Sequence, residues 1–410
     1  MKRWMSPLAI ALAIGCSVSA NAEVPKNPTY YKDVAPIFQE SCQLCHRTQG
    51  ANFGGMVAPM ALIDYAEVRP WAKAIAKAVT AKVMPPWSAS PDQHGQFRNE
   101  RVLNDEDIET ITKWVRQGAK RGNPKDAPAP KTFPGDGTGW QIGEPDLIVD
   151  MGADYFVEDD VEDLYVDFQT TFTEEQLPED RWLRSVEFIG GSQAVHHVIA
   201  RPLGGMAPGY DPVHYADGFG VKLKKGTSVE WDMHYHKEAG PGTGTWDRTK
   251  AGIVFWKKGD EIDHVIGTES LGSFRFNIPA GAENYADSAE YTFTEDTMIV
   301  SFNPHMHLRG KSAKYTLTYP DGTKEVALEV PKYDFNWQIT YTYSEPKRVP
   351  KGTVIRYDAA WDNSANNPSN PDPTRNVGWG RPTTDEMMFG WMRHTSVEEK
   401  NIVVGEESTD

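Results

Sequence analysis

The sequence predicts a multidomain chain: an all-α module followed by two all-β antiparallel sandwiches of jelly-roll type. Three observations carry this reading. Apolar residues before position 121 recur at helical spacing, as in Ala72, Ile75, Ala76 and Val79. A Pro/Gly-rich stretch over 122–140, with Pro124, Pro128, Pro130, Pro134 and four glycines, ends that pattern. Beyond it, apolar residues alternate in short runs separated by turns such as Pro320-Asp321-Gly322. The expected boundaries are a leader at 1–22, the helical module at 23–121, the linker at 122–140, one sandwich at 141–268 and a second at 269–402.

Each element has a local reason. Lys2 and Arg3, the apolar stretch from Pro7 to Ile14 and Ala20-Asn21-Ala22 form a secretion signal with a cleavage site, so the mature chain is expected to start at Glu23. Cys16 as a lipid anchor is the lesser alternative, because the usual leucine three residues earlier is missing. Tyr31 to Cys42 reads as a first helix. Asn104 caps a last one, whose first turn holds Asp105, Glu106 and Asp107 and whose buried face is Ile108, Ile111, Trp114 and Val115. The strands include Leu164–Phe168, Ser185–Ile189, Ala251–Trp256, Tyr315–Tyr319 and Trp337–Tyr343, with a break between sandwiches near 265–275.

Charge is uneven. Residues 23–125 carry 14 Lys+Arg against 11 Asp+Glu, net +3, whereas the rest of the chain beyond the leader carries 26 against 47, net −21. A basic module on an acidic body suggests electrostatic docking between them, and equally a solvated acidic surface. Such acidity argues against nucleic acid as a partner. No later segment offers about 18 uninterrupted apolar residues to span a membrane.

Residues 42–46 read Cys-Gln-Leu-Cys-His, the pentapeptide that bonds a c-type haem through two thioethers, with His46 as an iron ligand. A thioredoxin-like pair or half a zinc site is disfavoured by the flanking histidine and the absence of a second cysteine pair. One covalent haem, attached outside the cytoplasm, agrees with the leader and points to the periplasm. The helices around the motif resemble a small class I cytochrome c. Met84, in Val83-Met84-Pro85-Pro86-Trp87, is the first choice for the second axial ligand, and Met56 and Met60 are its rivals.

Six of the other ten histidines fall in three pairs: His196-His197, His234-x-His236 and His305-x-His307. Residues i and i+2 of a strand share a face, so each HxH offers two imidazoles to one metal. Adjacent His196 and His197 reach one ion only at a strand end or bulge. Met387 and Met388 add a thioether near the chain's end. Imidazole suits copper, and soft sulfur favours Cu(I). His94, His214, His264 and His394 have no paired spacing and read as ordinary surface or core residues.

These residues stand in the order Val195-His196-His197-Val198, Met233-His234-Tyr235-His236, His305-Met306-His307-Leu308 and Asp385-Glu386-Met387. In this the region from about 145 to 400 resembles the type II copper monooxygenases, the family of peptidylglycine α-hydroxylating and dopamine β-monooxygenases. The resemblance implies two coppers, one in each sandwich, across a solvent cleft. His196, His197 and His234 would form an all-histidine electron store, with His236 as the alternative to His234. His305, His307 and Met387 would form the site where dioxygen reacts, with Met388 as the alternative sulfur.

The sequence departs from that family in two ways. It has no cysteines to spare for disulfides. At the positions where the peptide-processing member holds a substrate carboxylate with Arg and Tyr, it has Asn303 and Trp391. An aromatic or apolar small molecule is thus a better substrate than a glycine-ended peptide. The resulting expectation is a periplasmic copper monooxygenase, R–H + O₂ + 2e⁻ + 2H⁺ → R–OH + H₂O, fed with electrons through its own haem by a periplasmic or membrane donor. The alternative is an electron-transfer or copper-binding protein without turnover.

Overall fold

The computed structural model describes residues 23–48, 50–51 and 56–405. The leader at 1–22, including Cys16, lies outside the described residues. No helix among them is long and apolar enough to cross a membrane.

Two β-sandwiches hold most of the chain. In the first, Asp163–Thr171, Ser228–His236, Val195–Arg201 and Gly204–Met206 form one sheet in that order. The opposing sheet runs Leu147–Asp150, Lys250–Phe255, Arg181–Ile189, Gly218–Leu223, Glu261–Val265 and Ile402–Val403, with one parallel pair between Gly218–Leu223 and Glu261–Val265. The core between them is built from alternate residues, as in Val229, Trp231, Met233 and Tyr235, all at most 1% exposed. In the second sandwich, Gly267–Gly272, Phe389–Ser396, Thr297–His305 and Tyr341–Val349 face a sheet of Tyr285–Thr292, Val354–Trp361, Gly310–Thr318 and Lys324–Val330. Phe302, Tyr315, Tyr357 and Trp361 fill that core. The final strand, Ile402–Val403, returns to pair with Glu261 and Ile262 of the first sandwich.

The expected all-α cytochrome c domain is not formed. The structure is mostly β, and the helices before residue 121 are short: Ala35–Ser41, Tyr65–Val68, Ala72–Thr80 and Asp105–Arg116, with a π turn at Tyr30–Val34. They pack Tyr30, Phe38, Val68, Ile111 and Trp114 into a small cluster. The reason is visible in the segment between the last two helices. Residues 87–101 leave the cluster and dock on the second sandwich, with Ala89 and Phe97 buried in its core. Ser90 N–H donates to the Glu329 carbonyl (2.8 Å), Arg98 N–H donates to the Thr342 carbonyl (2.9 Å), and Phe97 bridges to Tyr343. A stretch with no helical periodicity thus spends its apolar residues on a β core.

Phe97→Ala tests this arrangement. It should destabilise the second sandwich by roughly 3–5 kcal/mol, the usual cost of emptying a buried aromatic site. The readout is hydrogen exchange of the Tyr341–Val349 strand; unchanged protection there would show that residues 87–101 are not part of that core.

Candidate metal centre

On the Ser228–His236 strand, the residues alternating with the core set are Glu230, Asp232, His234 and His236, and they face outward from the first sandwich. His234 opposes His197 across the ladder, and the register shifts between Val195 and His197. That irregularity lets adjacent His196 and His197 turn to one side. Among the described residues, His196, His197 and His234 form a group whose ligand atoms all lie within 4.8 Å of one another. His197 Nδ1 lies 3.2 Å from His234 Nδ1 and 3.5 Å from His196 Nδ1. Two imidazole nitrogens that share an ion at about 2.0–2.1 Å stand about 3.3–3.6 Å apart, so the spacing fits a shared ion.

The outer partners agree with that use. His234 Nε2–H donates to the Asp163 carboxylate, which leaves Nδ1 as the free lone pair. Tyr165 stacks on His234 at 4.2 Å and 3°. Burial would raise the Asp163 carboxyl, but its contacts with His234 hold it below the usual carboxylate range. His236 stays outside the cluster: its side chain is 46% exposed, and its Nδ1 is 3.9 Å from Asp163.

The second cluster sits on the Thr297–His305 strand and the turn after it. Phe302 and Met306 enter the core, so Asn303 and His305 face outward. His305 Nδ1 pairs with Gln338 Oε1 at 2.6 Å, and His307 Nδ1–H donates to the Asp385 carbonyl at 3.2 Å. His307 Nε2 is buried with no hydrogen-bond partner. A buried imidazole nitrogen with no proton partner suits a metal ion. Met388 is fully buried in the core. Its neighbour Met387 is half-buried and lies just before the Phe389–Ser396 strand. Burial lowers the pKa of His305 to about 4 and of His196 to about 3, and lowers those of His197, His234 and His307 as well. All five are neutral near pH 7 and able to bind metal.

The two clusters face each other, and residues that sequence reasoning missed fill the space between. Phe335 stacks on His196 (centroids 4.8 Å, 15°) and lies 6.0 Å from the His307 ring. Arg381 of the second sandwich pairs with Asp167 and Asp232 of the first, and Tyr165 O–H donates to the Arg381 carbonyl. Asn303, at the position of the missing arginine, is committed: its Oδ1 accepts from Tyr210 (2.5 Å), and its Nδ2 donates to the Gln338 and Ile339 carbonyls. Trp391 lies 5.4 Å from His305 and stacks on Phe389 at 5.3 Å and 6°. Phe389 in turn touches Phe274, 60% exposed, which meets Trp379. An aromatic row therefore runs from solvent to His305.

At the other end of the chain, Cys42 and Cys45 are both half-buried. His46 Nδ1 lies 3.2 Å from the Met60 carbonyl. Met60 and Cys42 both pack against the helical cluster, whereas Met84 is 37% exposed. Met56 is half-buried.

No protein-family model matches the chain, and no curated protein matches it. Among solved structures, the N-terminal CBM22-1-CBM22-2 tandem domain of Xyn10C from Paenibacillus barcinonensis is similar over 61% of this chain and 93% of that one, at 10% identity and a TM-score of 0.14.

The Asp163 contact makes a test of the first cluster. Asp163→Asn should swap an acceptor for a group that no longer fixes the His234 tautomer, and lower metal affinity at that site by roughly 10–100-fold. Titration of the metal-free protein with Cu²⁺ checks this; an unchanged affinity would remove Asp163 from the site's support.

Proposed function

We propose that the chain is a periplasmic copper-dependent monooxygenase that hydroxylates a small aromatic or apolar molecule with dioxygen. The observation that carries this reading is the pair of facing clusters, His196, His197 and His234 on one side and His305 and His307 on the other. Copper in these sites would supply one-electron chemistry, and thioether sulfur would favour Cu(I) at the second. The chain's own residues do the rest. Asp163 and Gln338 orient His234 and His305, and the Asp385 carbonyl orients His307. Trp391 and Phe389 offer flat apolar faces beside His305, where a charged substrate group would find no guanidinium fork.

The same reading includes one haem bonded to Cys42 and Cys45 with His46 as an iron ligand. The Met60 carbonyl meets His46 at Nδ1 (3.2 Å) and would help orient it. Met84 is our choice for the residue that would supply the second iron ligand, with Met56 and Met60 as its rivals. One covalent haem per chain is expected, with a Met–iron charge-transfer band that Met84→Ala removes and Met60→Ala keeps; the reverse pattern would reassign the ligand.

Two coppers per chain are expected in separable sites. His196→Ala should release one copper and His305→Ala the other, each with loss of substrate-dependent oxygen uptake. Met387→Leu, nearly the same volume, should cost nearly all turnover while haem and fold survive, and Met388→Leu should cost less than about 1.5 kcal/mol of stability as a core swap. Two bound coppers without any oxygen uptake would favour the alternative, an electron-transfer or copper-binding protein.

A further inference from the structure

Phe335 is the side chain in which the two clusters meet. It lies on the segment between the Lys324–Val330 and Tyr341–Val349 strands, and that segment is pinned at several points. Tyr333 O–H donates to the Met306 carbonyl (2.8 Å), between the two histidines of the second cluster. Gln338 Nε2 donates to the Phe335 carbonyl (3.1 Å), while its Oε1 meets His305 Nδ1 (2.6 Å). Gln338 N–H donates to the Pro208 carbonyl of the first sandwich (2.7 Å). The residue is therefore held by the second cluster and by both sandwiches, and its ring stacks on His196 and lies nearly perpendicular to the His307 ring at 6.0 Å.

We propose that Phe335 is a positioning residue, a spacer ring that holds the two metal sites at one fixed separation and keeps water from between them. This rests on the two-copper reading above. The physical case has three parts. A half-buried phenyl ring between two imidazoles brings no ligand atom of its own, so it separates the sites without bridging them. Its stacked and edge-on contacts have preferred geometry, so it resists sliding. Its backbone is tied to His305 through Gln338, so the ring and the second cluster move together.

The test uses the full chain with a conservative and a disruptive variant. In the metal-free protein, nuclear Overhauser contacts from the Phe335 ring to both His196 and His307 are expected; absence of both would overturn the proposal whether or not copper binds. With Cu²⁺ in both sites, wild type and Phe335→Tyr should show one dipolar splitting in the EPR spectrum. Phe335→Ala should lose that defined splitting while still binding two coppers and unfolding at a similar temperature. An unchanged splitting in Phe335→Ala would refute the spacer role. Failure of the chain to bind copper, with the Overhauser contacts present, would count against the copper reading alone.

Discussion

Glu386 is fully buried, and the second cluster depends on it. Its carboxylate accepts hydrogen bonds from the His307 N–H (2.8 Å), the Arg309 N–H (2.7 Å) and the Trp361 indole (3.0 Å). Two of those donors belong to the turn that carries His307, and the carboxylate itself belongs to the segment that carries Met387. One side chain thereby ties the imidazole turn to the methionine segment. Burial raises the Glu386 pKa to about 7, against the pull of these donors. The arrangement persists because each buried donor has nowhere else to go, and leaving one unsatisfied costs more than the bond gains. Arg309, buried below the same turn, donates to Asn363 (2.8 Å) and to the Thr384 carbonyl (2.8 Å).

From that staple outward, both sandwiches use one rule. A strand has two faces, and here one goes to the sandwich core while the other goes to the opposing sandwich. Met233 and Tyr235 are buried inward, which leaves His234 on the outer face. Phe302 and Met306 do the same for Asn303 and His305. Shifting either strand by one residue would exchange imidazoles with core residues, so the register that buries the apolar set is also the one that presents the histidines. The exception is the adjacent pair His196-His197, where the period of two fails and an irregular register makes up the difference.

The strand alternation and the three histidine pairs were legible in the sequence because period and spacing are local properties. The grouping of His196 and His197 with His234, His236 being the alternative, came from the order of the motifs in the family resemblance, while spacing alone said only that adjacent histidines need a strand end or bulge to share an ion. Four of the five named strands fall on observed strands, whereas Trp337–Tyr343 is strand only from Tyr341 onward; the all-α module was not formed, because the sequence shows only that helices start and stop. It does not show that residues 87–101 find a better partner in a distant β core than in their own helices. Phe335, Gln338, Glu386 and Arg381 were missed for a related reason. Each acts through a contact across dozens to hundreds of positions, and only Glu386 stands in a motif, Asp385-Glu386-Met387, where Met387 drew the attention. Asp163 had a weak signal in its place on a strand whose alternate residues are acidic or aromatic.

The segment from Tyr333 to Thr342 shows how these long-range contacts add up. Near its start, Tyr333 and Phe335 touch the second and first clusters. In its middle, Gln338 holds His305 and receives the Asn303 amide at its carbonyl. At its end, the Thr340 carbonyl accepts from Asn99 (2.7 Å), whose side chain also donates to Asp211 of the first sandwich (2.8 Å). Arg101 pairs with the same Asp211, and Trp87 packs on Tyr341. Residues from the first 101 positions, from the first sandwich and from the second thus converge on ten consecutive residues. Burying polar groups at such a junction is tolerable only when nearly all of them are paired, so a change at one end is felt at the other. The energetic unit is therefore the packed junction that joins the helical segment to both clusters.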